Sequence, residues 1–305
     1  MMARRRLVAM LLGAVWLGEI LAAQDAALFR ARVGLVVLHA TVKNGRGALV
    51  TDLVRSAFTV YENGKPQPIT LFSREDVPVS LGLLIDNSGS MRLVRTRVEA
   101  AALALVSALN SQDEAFVVNF ADKPRLDVPL TNDVQTIRAG IARVDAIGGT
   151  ALYDAVDMAH AYLHEHAARD RKVLVVITDG NDNASVTTMA RVQDELAQGA
   201  VAIYAIGLFR DQEAMQRERR DLDQLTTRTG GLAYYPADIE QIDAVALEIA
   251  RQIRNQYTIA YTPISQALDG SYRAIRVQVR ASERLTVVTR AGYRATPGSM
   301  TPGPL

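Results

Sequence analysis

Val79-Ser80-Leu81-Gly82-Leu83-Leu84-Ile85-Asp86-Asn87-Ser88-Gly89-Ser90 is the stretch on which the fold turns. The apolar run to Ile85 reads as a buried strand. It ends in one carboxylate and two hydroxyls, and the chain then turns into a helix. Three hard oxygens side by side in a tight loop suit a divalent cation such as Mg²⁺ or Mn²⁺.

Two later segments have matching contexts. Gly148-Gly149-Thr150 opens a helix over Ala151–His166, and Thr178-Asp179-Gly180 closes a second apolar strand, Val173–Ile177. Around them strands and helices alternate. Helices are expected over 91–109, 133–144, 188–198, 222–229 and 238–255, the last opening on a possible Asp238 cap. Strands are expected over 115–120, 125–130, 201–206 and 232–235. Alternating β and α units imply a doubly wound, mostly parallel sheet with helices on both faces. In such a sheet, ligands gather at the carboxyl ends of strands where the strand order reverses. That geometry would bring Asp86, Ser88, Ser90, Thr150 and Asp179 together from three distant loops.

Both flanks read as β structure. Leu35, Val37, Ala40 and Val42 are strand-like, although His39 interrupts the alternation. Phe58–Tyr61 and Ile69–Phe72 flank Glu62-Asn63-Gly64-Lys65, and Asn-Gly between β-rich runs signals a type I′ hairpin turn. Strands are expected again at 257–261, 272–280 and 285–289. Neither flank is large enough to fold alone, so the segments 33–76 and 256–294 should pair into one small β-sandwich beside the α/β body, 77–255. Residues 295–305, with three Pro and two Gly after Thr296, should be a frayed tail.

At 305 residues with 49% apolar content, the chain holds one large or two small domains with ample core. Arg4-Arg5-Arg6, the apolar run Leu7–Leu17 and Leu21-Ala22-Ala23 have the order of a secretory signal peptide cleaved near Ala23. A membrane anchor is the rival; the run is short for a bilayer span and is followed by Glu19. The expected location is therefore secreted or periplasmic, with membrane contact only in transit, and the chain has no Cys to carry a lipid. Losing residues 1–23 takes the formal charge from +1 to about −1, which argues against nucleic-acid binding. Zero cysteines excludes a disulfide scaffold.

The three oxygen-bearing segments resemble the metal-ion-dependent adhesion site of the von Willebrand factor type A family. The resemblance covers about residues 77–255. The flanks, through Phe58-Thr59-Val60-Tyr61-Glu62-Asn63-Gly64-Lys65 and Arg290-Ala291-Gly292-Tyr293, resemble a group of secreted bacterial proteins with a type A-related domain, described largely from Acidobacteria. The resemblance implies that Ser88, Ser90 and Thr150 bind Mg²⁺ (or Mn²⁺ or Ca²⁺) directly, while Asp86 and Asp179 act largely through water. It also implies a position open to the Asp or Glu of a protein partner. The alternative is a structural component of an extracellular or envelope assembly, in which the metal stabilises the rim and the β module binds.

Other signals have simpler explanations. His160 and His164 have zinc-like i, i+4 spacing, but Ala161 stands where a zinc protease needs Glu, and histidines near a helix C-terminus suit its dipole. Ser88 lacks the Gly two residues earlier that a nucleophile elbow requires, because Asp86 is there, so no catalytic residue is assigned. Arg217–Arg220 reads as a solvated helix face, and Asp182 and Asn183 either join a partner-facing rim with the Asn181–Thr187 loop or are ordinary loop polarity.

Overall fold

The computed structural model describes residues 34–142, 147–180, 182–209, 215–299 and 301–302. The expected signal peptide, residues 1–23, lies outside the described residues. The leading flank contributes β1 (Gly34–Lys43), β2 (Phe58–Glu62), β3 (Lys65–Gln67) and β4 (Ile69–Ser73). The α/β body follows with β5 (Val79–Asp86), α1 (Arg95–Ser107), β6 (Glu114–Phe120), β7 (Pro124–Thr131), α2 (Val134–Ile141) and α3 (Leu152–His166). It continues through β8 (Arg171–Thr178), α4 (Met189–Leu196), β9 (Val201–Gly207), α5 (Met215–Thr229), β10 (Ala233–Tyr234) and α6 (Ile242–Arg254). The trailing flank adds β11 (Tyr257–Tyr261), β12 (Tyr272–Val279), β13 (Thr286–Val288), β14 (Gly292–Arg294) and β15 (Thr301–Pro302).

The body's six strands run β10-β9-β8-β5-β6-β7, all parallel except β7, which pairs antiparallel with β6. Every residue of β5 is buried, and its side chains alternate between two cores. Leu81, Leu83 and Ile85 face α1, α2 and α6, whereas Leu84 faces α3, α4 and α5. Gly82 is required at the crowded second face: a Cβ there would lie 2.4 Å from the Phe116 ring. The chain leaves β5 for β6 on one side and later returns to β8 on the other, so the strand order reverses at β5. The paired register of Ile85 with Ile177 sets Asp86 beside Thr178.

The flanks do pair with each other, forming two antiparallel sheets over a shared core of Val36, Leu38, Val60, Tyr257, Ile259, Val277 and Tyr293. Asn63 and Gly64 have φ of 48° and 79°, as the Asn-Gly signal required. The partner of β2 is nevertheless Lys65–Gln67, not Ile69–Phe72. After Pro68 the chain crosses to the other sheet, where β4 pairs with β11.

The inward side chains of β1 are Val36, Leu38, Ala40 and Val42, so Leu35 and Val37 are not on the sandwich face. Thr41 and Lys43, on the opposite face of β1, meet the α/β body: the Gln256 amide bridges Thr41 Oγ1 at 3.1 Å to the Tyr204 hydroxyl at 3.2 Å, and Lys43 Nζ reaches the Tyr234 hydroxyl at 3.4 Å. A strand with both faces covered loses the clean alternation that sequence reading needs.

Several local expectations change. Residues 89–93 form a 3₁₀ turn before α1, and Asp238 makes no side-chain cap bond. The described part of the tail packs: Ala295 is buried, Ser299 Oγ donates to Thr296 O at 2.8 Å, and Thr301 pairs with Leu35 on β1. Backbone pairing to β1 outweighs the fraying that the Pro and Gly content implied.

Candidate metal centre

The five predicted residues sit on one rim, at the carboxyl ends of β5 and β8. Asp86 is fully buried, and both its oxygens are engaged. Oδ1 accepts from the Ser88 N–H at 2.8 Å, and Oδ2 accepts from Thr178 Oγ1 at 2.6 Å. Burial pushes its carboxyl up to about 6, against the lowering effect of the Thr178 and Ser88 hydrogen bonds, and the negative charge of Asp179 adds to the rise.

Ser88 and Ser90 share a hydrogen bond at 3.1 Å, and Ser90 Oγ donates to Asp179 Oδ1 at 2.8 Å. Thr150 is buried, and a Cβ placed on Gly180 would lie 3.4 Å from its Oγ1. The three loops are also tied through their backbones. The Gly89 N–H donates to Gly148 O at 3.3 Å, and the Asn183 N–H donates to Thr150 O at 3.0 Å. Among the described residues, no three His, Cys, Asp or Glu side chains gather as a metal cluster. The oxygen set here is instead mostly hydroxyl.

Sequence reading missed the groups that hold these loops in place. Asp122 Oδ1 accepts from the Gly149 N–H at 2.6 Å. Gly148 has φ of 98°, and a Cβ there would come within 2.4 Å of the Asp122 carboxylate, so glycine is needed on both counts. Arg95, buried under the first loop, donates to the Asn87 side chain and to Ile141 O.

Asp182 and Asn183 hold backbone within the rim, which differs from the partner-facing role considered for them, although Asn183 stays exposed. Asn183 Oδ1 accepts from the Thr150 N–H, and Asp182 Oδ2 accepts from the Tyr153 N–H, each at 2.8 Å. Ser185 Oγ takes the Asp154 N–H at 3.0 Å, and Asp154 in return accepts from Val186 and Thr187. The N-cap residue of α3 is Ala151, which has no side-chain oxygen, so its first-turn N–H groups are satisfied by this other loop. An alanine at that position was the available signal. Asn181 of the same loop lies outside the described residues.

The histidines are elsewhere. His160, His164 and His166 lie on the later half of α3, with His166 stacked on Tyr162 at 4.4 Å, whereas Thr150 precedes that helix. Of the 217–220 run, the Arg219 guanidinium lies 4.5 Å over the Tyr235 ring and Arg220 Nε donates to Gln216 O; the side chains of Arg217 and Glu218 lie outside the description.

Residues 81–181 match the family model described as von Willebrand factor type A domain. No curated protein matches the chain. Among solved structures, a von Willebrand factor type A protein from Catenulispora acidiphila aligns at 12% identity and a TM-score of 0.52, over 85% of this chain and 74% of that one. Proximal thread matrix protein 1 from the mussel byssus aligns at 17% identity and a TM-score of 0.50, over 63% of this chain. This chain spans only 50% of that protein's length. Another structure of the mussel protein, described as having a zinc-occupied MIDAS motif, aligns at 16% identity with a TM-score of 0.52, covering 63% of this chain and 50% of that one. At these identities the likeness is one of fold.

Proposed function

We propose that the von Willebrand factor type A domain of this chain holds one divalent cation, Mg²⁺ ahead of Mn²⁺ or Ca²⁺, and captures an acidic side chain of a protein partner. The observation that carries this reading is the meeting of Ser88, Ser90 and Asp179 oxygens at spacings of 2.8 and 3.1 Å, with Thr150 and Asp86 alongside. Neighbouring ligands around Mg²⁺, each 2.0–2.1 Å from the ion in an octahedron, lie about 2.9 Å apart, so the donor set fits such an ion.

Ser88, Ser90 and Thr150 would be direct ligands; Asp86 and Asp179 would act through water or by switching. A bound divalent ion supplies positive charge that reverses the cost of keeping Asp86 ionised in a buried place. Because the protein offers only two carboxylates, the ion retains appetite for a third from a partner. The zinc-occupied motif of the mussel protein supports the choice of a divalent ion on this fold.

Catalysis forms no part of the reading. The four histidines are His39 on β1 and the three on the later half of α3, and the groups beside Ser88 are hydroxyl and carboxylate. Export through residues 1–23 and the division into an α/β body, 77–255, and a β module, 33–76 with 256–294, belong to the same proposal. Among the described residues, no helix is long and apolar enough to cross a membrane.

Calorimetric titration of the mature chain with MgCl₂, MnCl₂ and CaCl₂, paired with thermal melts, tests the proposal. Saturation should raise the melting temperature: a cation at a hundred times its Kd adds about 2.7 kcal/mol. Asp179→Ala should remove the effect. A wild-type chain indifferent to all three cations ends the proposal.

A further inference from the structure

Ten large apolar side chains are exposed among the described residues, and the three most exposed are Val186 at 93%, Leu93 at 80% and Ile147 at 73%. Each sits on a different one of the three loops that converge at the candidate metal centre. Leu93 ends the 3₁₀ turn Gly89–Leu93, in which side chains three apart eclipse, so it stands on the same exposed side as Ser90 while Met91 is buried between them. Ile147 precedes Gly148, whose carbonyl accepts from Gly89. Val186 follows the Asn183-Ala184 pair that donates to Thr150 O, and its own N–H is held by Asp154 at 3.0 Å.

Single exposed apolar residues are ordinary on a protein surface. Here several neighbouring polar side chains are already spent on holding backbone. Asp122, Asp154 and Asn183 accept backbone N–H groups of these same loops, and Asp182 accepts the Tyr153 N–H in the first turn of α3. Among the side chains left facing outward are the three apolar ones. The charge balance narrows the guest further. Asp122, Asp154, Asp179 and Asp182 lie on or beside these loops, each bonded within them or to the start of α3, against the exposed cations Arg92 and Lys123. A run of acidic residues would meet this ring with like charge, whereas one carboxylate directed at a cation would not.

We infer that the partner is a protein segment presenting a single Asp or Glu between apolar side chains, which seat against Leu93, Ile147 and Val186. This inference rests on the cation reading given above and adds the identity of the guest's neighbours. One carboxylate–metal contact is common to every acidic ligand, so the apolar rim is where selectivity would arise.

Fluorescence anisotropy on the mature chain in MgCl₂ would compare three labelled peptides: Val-Leu-Glu-Leu-Val, Ser-Asn-Glu-Asn-Ser and an all-Glu pentamer. The first should bind at least about tenfold more tightly than the other two, the worth of roughly one buried apolar side chain. Chelation should abolish its binding. The surface variant Leu93→Ser/Ile147→Ser/Val186→Ser should erase the preference and leave calorimetric Mg²⁺ affinity unchanged. Equal binding of all three peptides in a chain that does bind Mg²⁺ overturns the inference and spares the cation site. Binding of the apolar peptide that survives chelation also overturns it. A chain that binds no cation brings down both readings together.

Discussion

At the carboxyl ends of β5 and β8 the chain gathers oxygens, and at their amino ends it gathers guanidinium groups. The upper rim holds Asp86, Ser88, Ser90, Thr150 and Asp179. The lower seam, where the α/β body meets the sandwich, holds Arg171, Arg254 and Arg290. Arg171 is 1% exposed and donates to Ile253 O at 2.7 Å, at the end of α6. Arg290 donates to Gly199 O at 3.3 Å, just past α4. Arg254 binds Asp76 at 3.0 Å and also pairs with Asp113, whose Oδ1 accepts the first N–H of β5. Helices in this fold start at the upper rim and finish at the seam, so their negative ends favour cations below. The difference lies in who the partners are. Arginines of the seam are bound to backbone carbonyls and acids of the same chain, whereas oxygens of the rim are bound largely to one another. The seam is committed to holding the molecule together; the rim has groups it can turn to a guest.

The contrast gives opposite expectations for mutation. The largest effect on binding should come from Thr150→Val, which keeps the buried shape and deletes one hydroxyl. Outer-shell partners of a metal are worth 10–100-fold, so loss of a direct ligand should weaken Mg²⁺ affinity by at least about a hundredfold. The melting temperature without cation should stay nearly unchanged. A calorimetric affinity within threefold of wild type would remove Thr150 from the site.

Arg171→Ala should do the reverse. Deleting a buried side chain of that size, with its bond to Ile253 O, should cost roughly 2–4 kcal/mol in denaturant unfolding. Cation affinity of the folded fraction should not move. Nε and Nη2 of Arg171 have no hydrogen-bond partner, so Arg171→Met, which keeps bulk without the charge, should recover much of the loss. If Arg171→Ala instead weakens Mg²⁺ binding at unchanged stability, the two ends are not separable as argued.

How much of each end could be read from sequence follows from the same contrast. The rim was legible because its residues come in short runs, each placed at the end of an apolar strand or the start of a periodic helix. Asp86-Asn87-Ser88-Gly89-Ser90 announces both its chemistry and its place. The supports of the rim were less visible, since Asp122 and Asn183 are single polar residues whose partners, Gly149 and Thr150, are remote in sequence. The seam was not legible at all. Arg171 and Arg290 are isolated, and only the folded register of β8, β1 and the trailing flank brings them near His39. The sandwich itself was foreseeable from its β-rich flanks, but not the sheet assignment of β4, because a strand's text does not say which neighbour it pairs with. Likewise β15 was masked by Pro and Gly, which mark loose chain unless a partner strand is waiting.

His39 gives the smallest and most specific test of the seam. It lies on β1, with Nδ1 3.3 Å from Thr258 Oγ1 and with Arg171 and Arg290 as its charged neighbours. Burial, then Arg171, then Arg290 hold its imidazole down to about 3, from an ordinary value of 6.5. Below pH 6.5 the unfolded chain therefore takes up a proton that the folded chain refuses. Stability contributed by neutral His39 is intact above pH 6.5 and is lost as pH falls towards 3. The limiting slope is about 1.4 kcal/mol per pH unit, and partial solvent access at this position should make the observed slope smaller. Denaturant unfolding of wild type and His39→Gln across pH 4–7 should show the variant with the shallower decline. Parallel curves would mean that His39 takes up its proton as readily in the folded protein as in the unfolded chain, and that the arginines of the seam do not reach it as described.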